Sequence, residues 1–385
     1  MSEEDINMVY KEFGDLKLSA LGMGAMRLPL LGDDDSQIDE KATAEMVAYA
    51  MEKGINYYDT AWGYHNGQSE IVMGKILGQY PRESYYLASK FPGYDLSNMD
   101  KVEEIFEKQL EKTGMEYFDF YLFHNVCEIN IDAYLDNEKY GLFDYLVEQK
   151  KNGRIKHLGF SAHGSYEVIE RFLKAYGSEM EFGQLQINYI DWDFQKVKEK
   201  VELLGKYNIP VWVMEPLRGG KLANLPEEYA KRLENLRPDE KVPAWAFRFL
   251  QSIPSVTMIL SGMSNFEQLK ENIATFETDR PLKEEEMECI MGIAGEMVGK
   301  IALPCTACRY CTTKCPKGLN IPKLLELYNE HIFTGGGFLP GFGLMAIPKD
   351  KHPNACIGCK SCEAVCPQQI KISEAMADFS EKMGL

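Results

Sequence analysis

Ala44-Glu45-Met46-Val47-Ala48-Tyr49-Ala50-Met51-Glu52-Lys53-Gly54-Ile55-Asn56-Tyr57-Tyr58-Asp59-Thr60 carries a helix-like face followed by a strand-like run. Ala44, Val47, Ala48 and Met51 recur at three- and four-residue steps, one apolar side of a helix. Asn56–Thr60 is short and aromatic, the composition of a buried strand. The same alternation fills the first 280 residues. Strand-like runs occur at Ser19–Gly24, Asn56–Thr60, Tyr85–Lys90, Phe118–Phe123, Ile155–Ser161, Phe182–Ile187, Ile209–Met214 and Val256–Ser261. Strands separated by helices imply a parallel sheet, because parallel neighbours need a crossover. Eight such units in about 260 residues suit a closed (β/α)8 TIM barrel better than an open doubly wound sheet. Gly22 and Gly24 form only half of a dinucleotide fingerprint.

The chain has 385 residues, more than a barrel of about 250 requires. Composition changes near residue 300. From there on, ten Lys/Arg face seven Asp/Glu, whereas 32 face 52 before it, so a formal charge of −17 divides into +3 and −20. Eight of ten cysteines lie between Cys305 and Cys366, and Cys127 and Cys289 stand alone as small hydrophobes. Two domains are expected, 1–280 and 281–385. The acidic balance argues against a sequence-independent grip on nucleic acid or anionic lipid. No apolar run reaches the eighteen or so residues of a membrane span, and MSEEDINMVY lacks the features of a signal peptide. The expectation is a soluble, cytoplasmic protein without membrane or nucleic-acid partners. In a reducing compartment, clustered cysteines indicate a metal or cluster site rather than a disulfide framework.

A barrel of this kind places its chemistry at the C-terminal ends of the strands. Those ends carry Asp59 and Tyr64 at and after the second run, Lys90 at the end of the third, His124 after the fourth, and Ser161 and His163 at and after the end of the fifth. A phenol with pKa near 10 is a poor proton donor at neutral pH unless perturbed. A neighbouring ammonium favours phenolate, and a carboxylate can hold that ammonium in place. A histidine at the same oxygen would orient a carbonyl and stabilise developing charge. The set suits carbonyl reduction with a hydride from a nicotinamide.

In that order along the chain, Asp59, Tyr64, Lys90 and His124 resemble the catalytic tetrad of the aldo-keto reductases, and the resemblance covers about residues 8 to 280. Supporting stretches are Leu21–Pro29, Gly159–Ser161, Gly183–Tyr189 and Pro216–Gly220. The resemblance implies that Tyr64 is the acid, that Lys90 and Asp59 tune it, and that His124 binds the carbonyl. It further implies cofactor contacts at Gly24, Ala25 and Met26, nicotinamide contacts at Ser161 and Gln184, and a pyrophosphate and adenosine site at Leu217, Gly219, Lys221, Ser261, Gly262, Gln268 and Asn272. Three departures stand out: Ala162 where the family usually has Asn, Met214 where an aromatic commonly stacks on the nicotinamide, and Gly262 and Gln268 where NADPH-preferring members often carry Lys and Arg. Loss of those cations weakens the case for a 2′-phosphate, leaving NAD(H), NADP(H) or an altered site holding a flavin.

Cys305-x2-Cys308-x2-Cys311-x3-Cys315-Pro316 is followed by Cys356-x2-Cys359-x2-Cys362-x3-Cys366-Pro367. This resembles the bacterial ferredoxin pattern for two [4Fe-4S] cubanes, in which the fourth Cys of each run ligates the other cluster. The resemblance assigns Cys305, Cys308, Cys311 and Cys366 to one cluster and Cys315, Cys356, Cys359 and Cys362 to the other. Zinc, which accepts sites of four cysteines, is the alternative. Glycine-rich Thr334–Gly343 between the runs reads as a loop. Over its full length the chain resembles aldo-keto reductases with a small, mainly helical, ferredoxin-like C-terminal domain. The expected activity is reduction of an aldehyde or ketone, a small-molecule carbonyl substrate, with electron transfer through the clusters and an electron-carrier protein as candidate partner. Two other readings stand beside it: a flavin- or ferredoxin-linked electron-transfer oxidoreductase using the barrel as a nucleotide site, and a redox-sensing subunit.

Overall fold

The computed structural model describes residues 7–300, 303–305 and 308–385. The chain opens with a hairpin of β1 (Tyr10–Phe13) and β2 (Leu16–Ser19), turned at Gly14. Eight parallel strands then close into a barrel in chain order: β3 (Leu21–Gly24), β4 (Tyr57–Asp59), β5 (Tyr86–Phe91), β6 (Phe118–Val126), β7 (Ile155–Ala162), β8 (Phe182–Gln186), β9 (Val211–Met214) and β10 (Val256–Ser261). β10 pairs back onto β3, with Ser261 opposite Met23. Each of the eight strand-like runs overlaps one barrel strand, with β5, β6 and β7 running one to three residues past the expected end. Helices follow the strands, among them Glu40–Glu52, Ser69–Leu77, Val102–Thr113 and Phe266–Phe276.

The hairpin was not anticipated, because its four-residue strands are too short to show a period and Ser19 belongs to β2 rather than β3. Its role is visible in the barrel interior. Phe13 packs against Trp212, Phe120 and Phe182 at ring distances of 5.0, 5.8 and 6.5 Å. These partners lie early in β9, β6 and β8, so the hairpin plugs the N-terminal end of the barrel. Buried aromatics of this size contribute about 1.5–3 kcal/mol each. The opposite, C-terminal end is where the polar strand ends gather.

The chain divides into two compact units between Ile290 and Met291. The second contains helices Ile321–Thr334, Phe338–Met345 and Ile372–Met383. Part of the stretch expected as a loop is therefore helical. Gly335, Gly336 and Gly337 all take positive φ and end one helix, after which apolar Phe338–Met345 starts another. The unit is built from a repeat: each cysteine of the first run recurs 51 positions on, Cys305 at 356 through Cys315 at 366. Helix Ile321–Thr334 and helix Ile372–Met383 both begin six residues after the fourth Cys. Equivalent Leu319 and Ile370, and Ile321 and Ile372, share one core with Leu324, Met376 and Phe379. No helix among the described residues is long and apolar enough to cross a membrane.

Candidate active site and cysteine centres

At the barrel mouth Lys90, fully buried on β5, donates to Asp59 Oδ1 at 2.5 Å, to the Thr60 carbonyl at 2.8 Å and to the Tyr64 hydroxyl at 3.4 Å. Asp59 ends β4 and is 3% exposed. Tyr64 stands edge-on to His124, with ring centroids 6.0 Å apart at 81°, and Tyr94 meets the same imidazole at 5.2 Å and 84°. A bulge aims His124: β6 loses register between Phe123 and Val126, where Asn125 adopts φ 58°. The Tyr134 hydroxyl then donates to the His124 carbonyl at 2.8 Å and the Ser161 hydroxyl accepts from the Asn125 amide at 2.9 Å. The sequence ends this strand at Phe123 and shows no trace of the bulge.

Burial pushes the Tyr64 phenol above its ordinary value, and the Lys90 ammonium opposes that rise without cancelling it. The hydroxyl thus stays protonated at neutral pH, in the state needed to donate. For Lys90, burial acts to lower the ammonium, but Asp59 and Tyr64 outweigh it and the group remains charged. Burial, then Lys90 and His163, hold His124 well below the usual histidine range, so its ring is neutral. His163 falls to about 4 through burial and Lys200, against a hydrogen bond with Gln186.

A second set of residues escaped the sequence reading. Glu70, fully buried, accepts from Ser89 Oγ at 2.7 Å, Gln109 Nε2 at 2.6 Å and Lys112 Nζ at 2.9 Å. Gln109 also donates to the Lys90 carbonyl at 3.0 Å and accepts from the Tyr121 hydroxyl at 2.6 Å. Gly74 makes this contact feasible: a Cβ there would lie 2.3 Å from the Thr113 carbonyl, so helix Ser69–Leu77 can press against helix Val102–Thr113. Neighbouring Ser69 bonds Thr60 Oγ1 and the Ala25 carbonyl, both at 2.8 Å. One helix start thereby braces the strand ends that carry Asp59 and Lys90. The available signal was a glutamate preceding the buried Val72, Met73, Ile76 and Leu77 of one helix.

The expected cofactor residues occupy five places. Gly24 lies opposite Asp59 in the sheet, with Ala25 buried beyond it and Met26 exposed. Ser161 and Gln184 are sheet partners, both buried, and Gln184 Oε1 has no hydrogen-bond partner among the described residues. An amide group can be read there: the Ser161 hydroxyl, which accepts from Asn125, has its proton to give, and Gln184 has an acceptor to offer. Met214 ends β9 opposite Gln186. The loop holding Leu217, Gly219 and exposed Lys221 is pinned by Arg218, whose Nε meets both Asp191 oxygens at 3.0 and 3.1 Å. Asn188 and Gln186 donate to the same carboxylate at 2.7 and 2.8 Å. At the last place Asn272 donates to Ser261 Oγ at 3.1 Å, and Gln268 accepts from the Ser264 amide at 2.8 Å, so these side chains first serve their own segment. Arg27, absent from the expected set, packs its stem where a Cβ on Gly262 would come within 3.1 Å, and its guanidinium reaches Gly219.

In the tail, Cys305, Cys308 and Cys311 line one cavity together with Cys366, and Cys356, Cys359 and Cys362 line another together with Cys315. The fourth cysteine of each run crosses to the other cavity. Arg309 and Lys360, each following the second cysteine of its run, both adopt positive φ near 60°, which wraps the backbone around the cavity. The remaining walls include Pro322, Leu325 and Ile370 on one side and Leu319, Ile321 and Met376 on the other, with Ile372 between. Four sulfurs in an apolar cradle, twice, fit cubane clusters.

Residues 20–294 match the profile of the aldo/keto reductase family, so this chain belongs to that family of oxidoreductases. Residues 304–371 match a 4Fe-4S dicluster domain. Among relatives, "Uncharacterized oxidoreductase YqkF" of Bacillus subtilis is 25% identical over 72% of this chain and 92% of its own. The "NADH-specific methylglyoxal reductase" of Escherichia coli is 24% identical over 68% and 90%. Among solved structures, the holo form of aldo-keto reductase AKR11C1 from Bacillus halodurans superposes with a TM-score of 0.61 and 26% identity, over 74% of this chain and 96% of that one.

Proposed function

We propose that this chain is a nicotinamide-dependent carbonyl reductase of the cytoplasm, acting on a small aldehyde or ketone, whose tail holds two [4Fe-4S] clusters for electron transfer. The observation that carries the reading is the relay in which buried Asp59 and Lys90 meet a half-buried Tyr64 facing a neutral His124. His124 orients the carbonyl oxygen, Tyr64 delivers the proton to it, and Lys90, held by Asp59, stabilises the phenolate left behind. A nicotinamide, when bound, supplies the hydride; Ser161 and Gln184 would hold its amide, and Gly24, Leu217, Gly219, Ser261 and Asn272 its remaining length. Arg27 is a cation available to phosphate where Gly262 and Gln268 are not. The Escherichia coli relative's name makes NADH with a short aldehyde the first assay. Tyr64→Phe tests the reading: it should abolish carbonyl reduction with cofactor affinity nearly unchanged. Retention of more than about a tenth of kcat would remove Tyr64 from the role.

One observation favours a second reading, in which a one-electron carrier replaces the nicotinamide. Glu215, half-buried after β9, lies beside the loop that would receive a pyrophosphate, and its charge acts on Tyr64. A carboxylate there repels phosphate. Turnover driven by a low-potential donor with no nucleotide present would establish this route.

A further inference from the structure

The cavity of Cys315, Cys356, Cys359 and Cys362 opens on a rim of definite character. Ile357 is 60% exposed, although its neighbour Cys356 lines the cavity. Cys359 and Lys360 are exposed as well. Lys317 and Lys360 line the same cavity as Ile357, and Lys351 Nζ donates to the Lys317 carbonyl at 2.6 Å, so three lysines gather about this cavity. Two acids stand against them: Asp350 lies 3.9 Å from Lys351, and the Glu363 carboxylate keeps its charge while bound by the amide and hydroxyl of Ser373, so three cations outnumber two anions here. A positive rim around an exposed isoleucine is thus maintained in a chain of net charge −17.

We propose that this rim is the docking surface for a small acidic protein carrying a one-electron redox centre. The inference rests on the reading that the tail holds conducting clusters. An apolar centre with a charged surround is the anatomy of a transient interface, and redox encounters are its smallest class, burying less than about 1,200 Å². Complementary charge at such a site governs encounter rate and partner choice more than affinity. The exposed Cys359 brings a cluster ligand to the protein surface, which shortens the path from a docked partner. One electron leaves the carrier, which is oxidised, and enters the cluster, which is reduced; no proton is required, and two such encounters supply a two-electron reduction.

The test uses the anaerobically purified full chain and an acidic flavodoxin in its hydroquinone form, whose semiquinone product is followed by stopped flow. The second-order rate should fall roughly tenfold or more from low to high salt, as attraction between opposite charges is screened. An acidic carrier meeting the acidic protein elsewhere would be repelled, and its rate would rise with salt; that sign overturns the proposal. Lys317→Glu with Lys351→Glu, which leaves the cysteine run intact, should slow the reaction at least tenfold and flatten its salt dependence. Full reduction by methyl viologen radical, a cation that the substitutions do not repel, and the iron content should be retained. An unaltered flavodoxin rate, or slowing caused instead by Arg309→Glu with Lys314→Glu at the other cavity, refutes the assignment. A tail that binds no iron, or that methyl viologen fails to reduce, would refute the cluster reading beneath it, a distinguishable failure.

Discussion

Lys90→Met probes the buried ion pair in a way that can be worked out in advance. Lys90 Nζ is the cation held against Asp59 at 2.5 Å, and Asp59 is 3% exposed with Oδ2 lacking a partner among the described residues. Burial already raises the Asp59 carboxyl and Lys90 opposes it, so without Lys90 burial acts alone. The stranded carboxylate has an escape, which is to take up a proton. At pH 7 that costs about 1.4 kcal/mol for each unit above an unfolded pKa near 3.9, a ceiling of about 4 kcal/mol. This agrees with the roughly 3–5 kcal/mol measured when one partner of a buried pair is removed. The sign of the pH dependence follows. A carboxyl whose folded pKa is raised binds more protons in the folded state, so its contribution is lost as pH rises from the unfolded pKa through the folded one. The deficit should therefore shrink by about 1.4 kcal/mol per unit as pH is lowered from 7 toward 5. Asp59→Asn combined with Lys90→Met removes both charges and should cost less than Lys90→Met alone. Urea unfolding followed by tryptophan fluorescence reads the barrel selectively, because Trp62, Trp192, Trp212 and Trp245 all precede residue 290. A Lys90→Met protein within about 1 kcal/mol of wild type at pH 7, with no pH-dependent gap, would refute the argument.

The pH profile of kcat/KM should be a plateau spanning at least the range between the ordinary histidine and phenol values, because the phenol is raised above its usual range and His124 is held well below its own. A bell centred near pH 7 would contradict the assigned protonation states. Cys366→Ala should leave about four of eight irons and match Cys308→Ala, not Cys359→Ala, in its electron paramagnetic resonance spectrum, because Cys366 lines the cavity of the first run. Loss of the other cluster's signal would reverse the assignment. Glu70→Gln should lower stability by about 1.5–3 kcal/mol and reduce kcat more than it changes KM, since Glu70 braces the segment bearing Lys90. Equal effects on kcat and kcat/KM for a distant isosteric pair such as Tyr328→Phe would show the loss to be general destabilisation.

The barrel was legible because each strand is a compact apolar run and each crossover a helix-period segment, signals that need only ten to twenty neighbouring residues. Asp59, Tyr64, Lys90 and His124 were legible because strand ends of a barrel must meet at one mouth. What stayed hidden depends on distant pairs. Glu70 meets Gln109 across 39 positions, and neither residue type is unusual where it stands. Phe13 acts through aromatics far along the chain. The Asn125 bulge leaves no mark because asparagine in a left-handed conformation looks like any asparagine in a sequence. The net direction of the Tyr64 shift was hidden for a different reason: the opposing effects of burial and Lys90 can be weighed only once burial is known.

The crossed placement of Cys315 and Cys366 bears on how the protein is made. Neither cysteine cavity is complete until the second run exists, and the first cavity waits for Cys366. A ribosome conceals the most recent few tens of residues, so the whole of residues 1–290 can emerge and fold while both cavities still lack sulfur. Four-cysteine coordination at either site is then confined to chains that extend into the second run. A product truncated before residue 356 would keep a barrel but lack four-cysteine coordination at both sites.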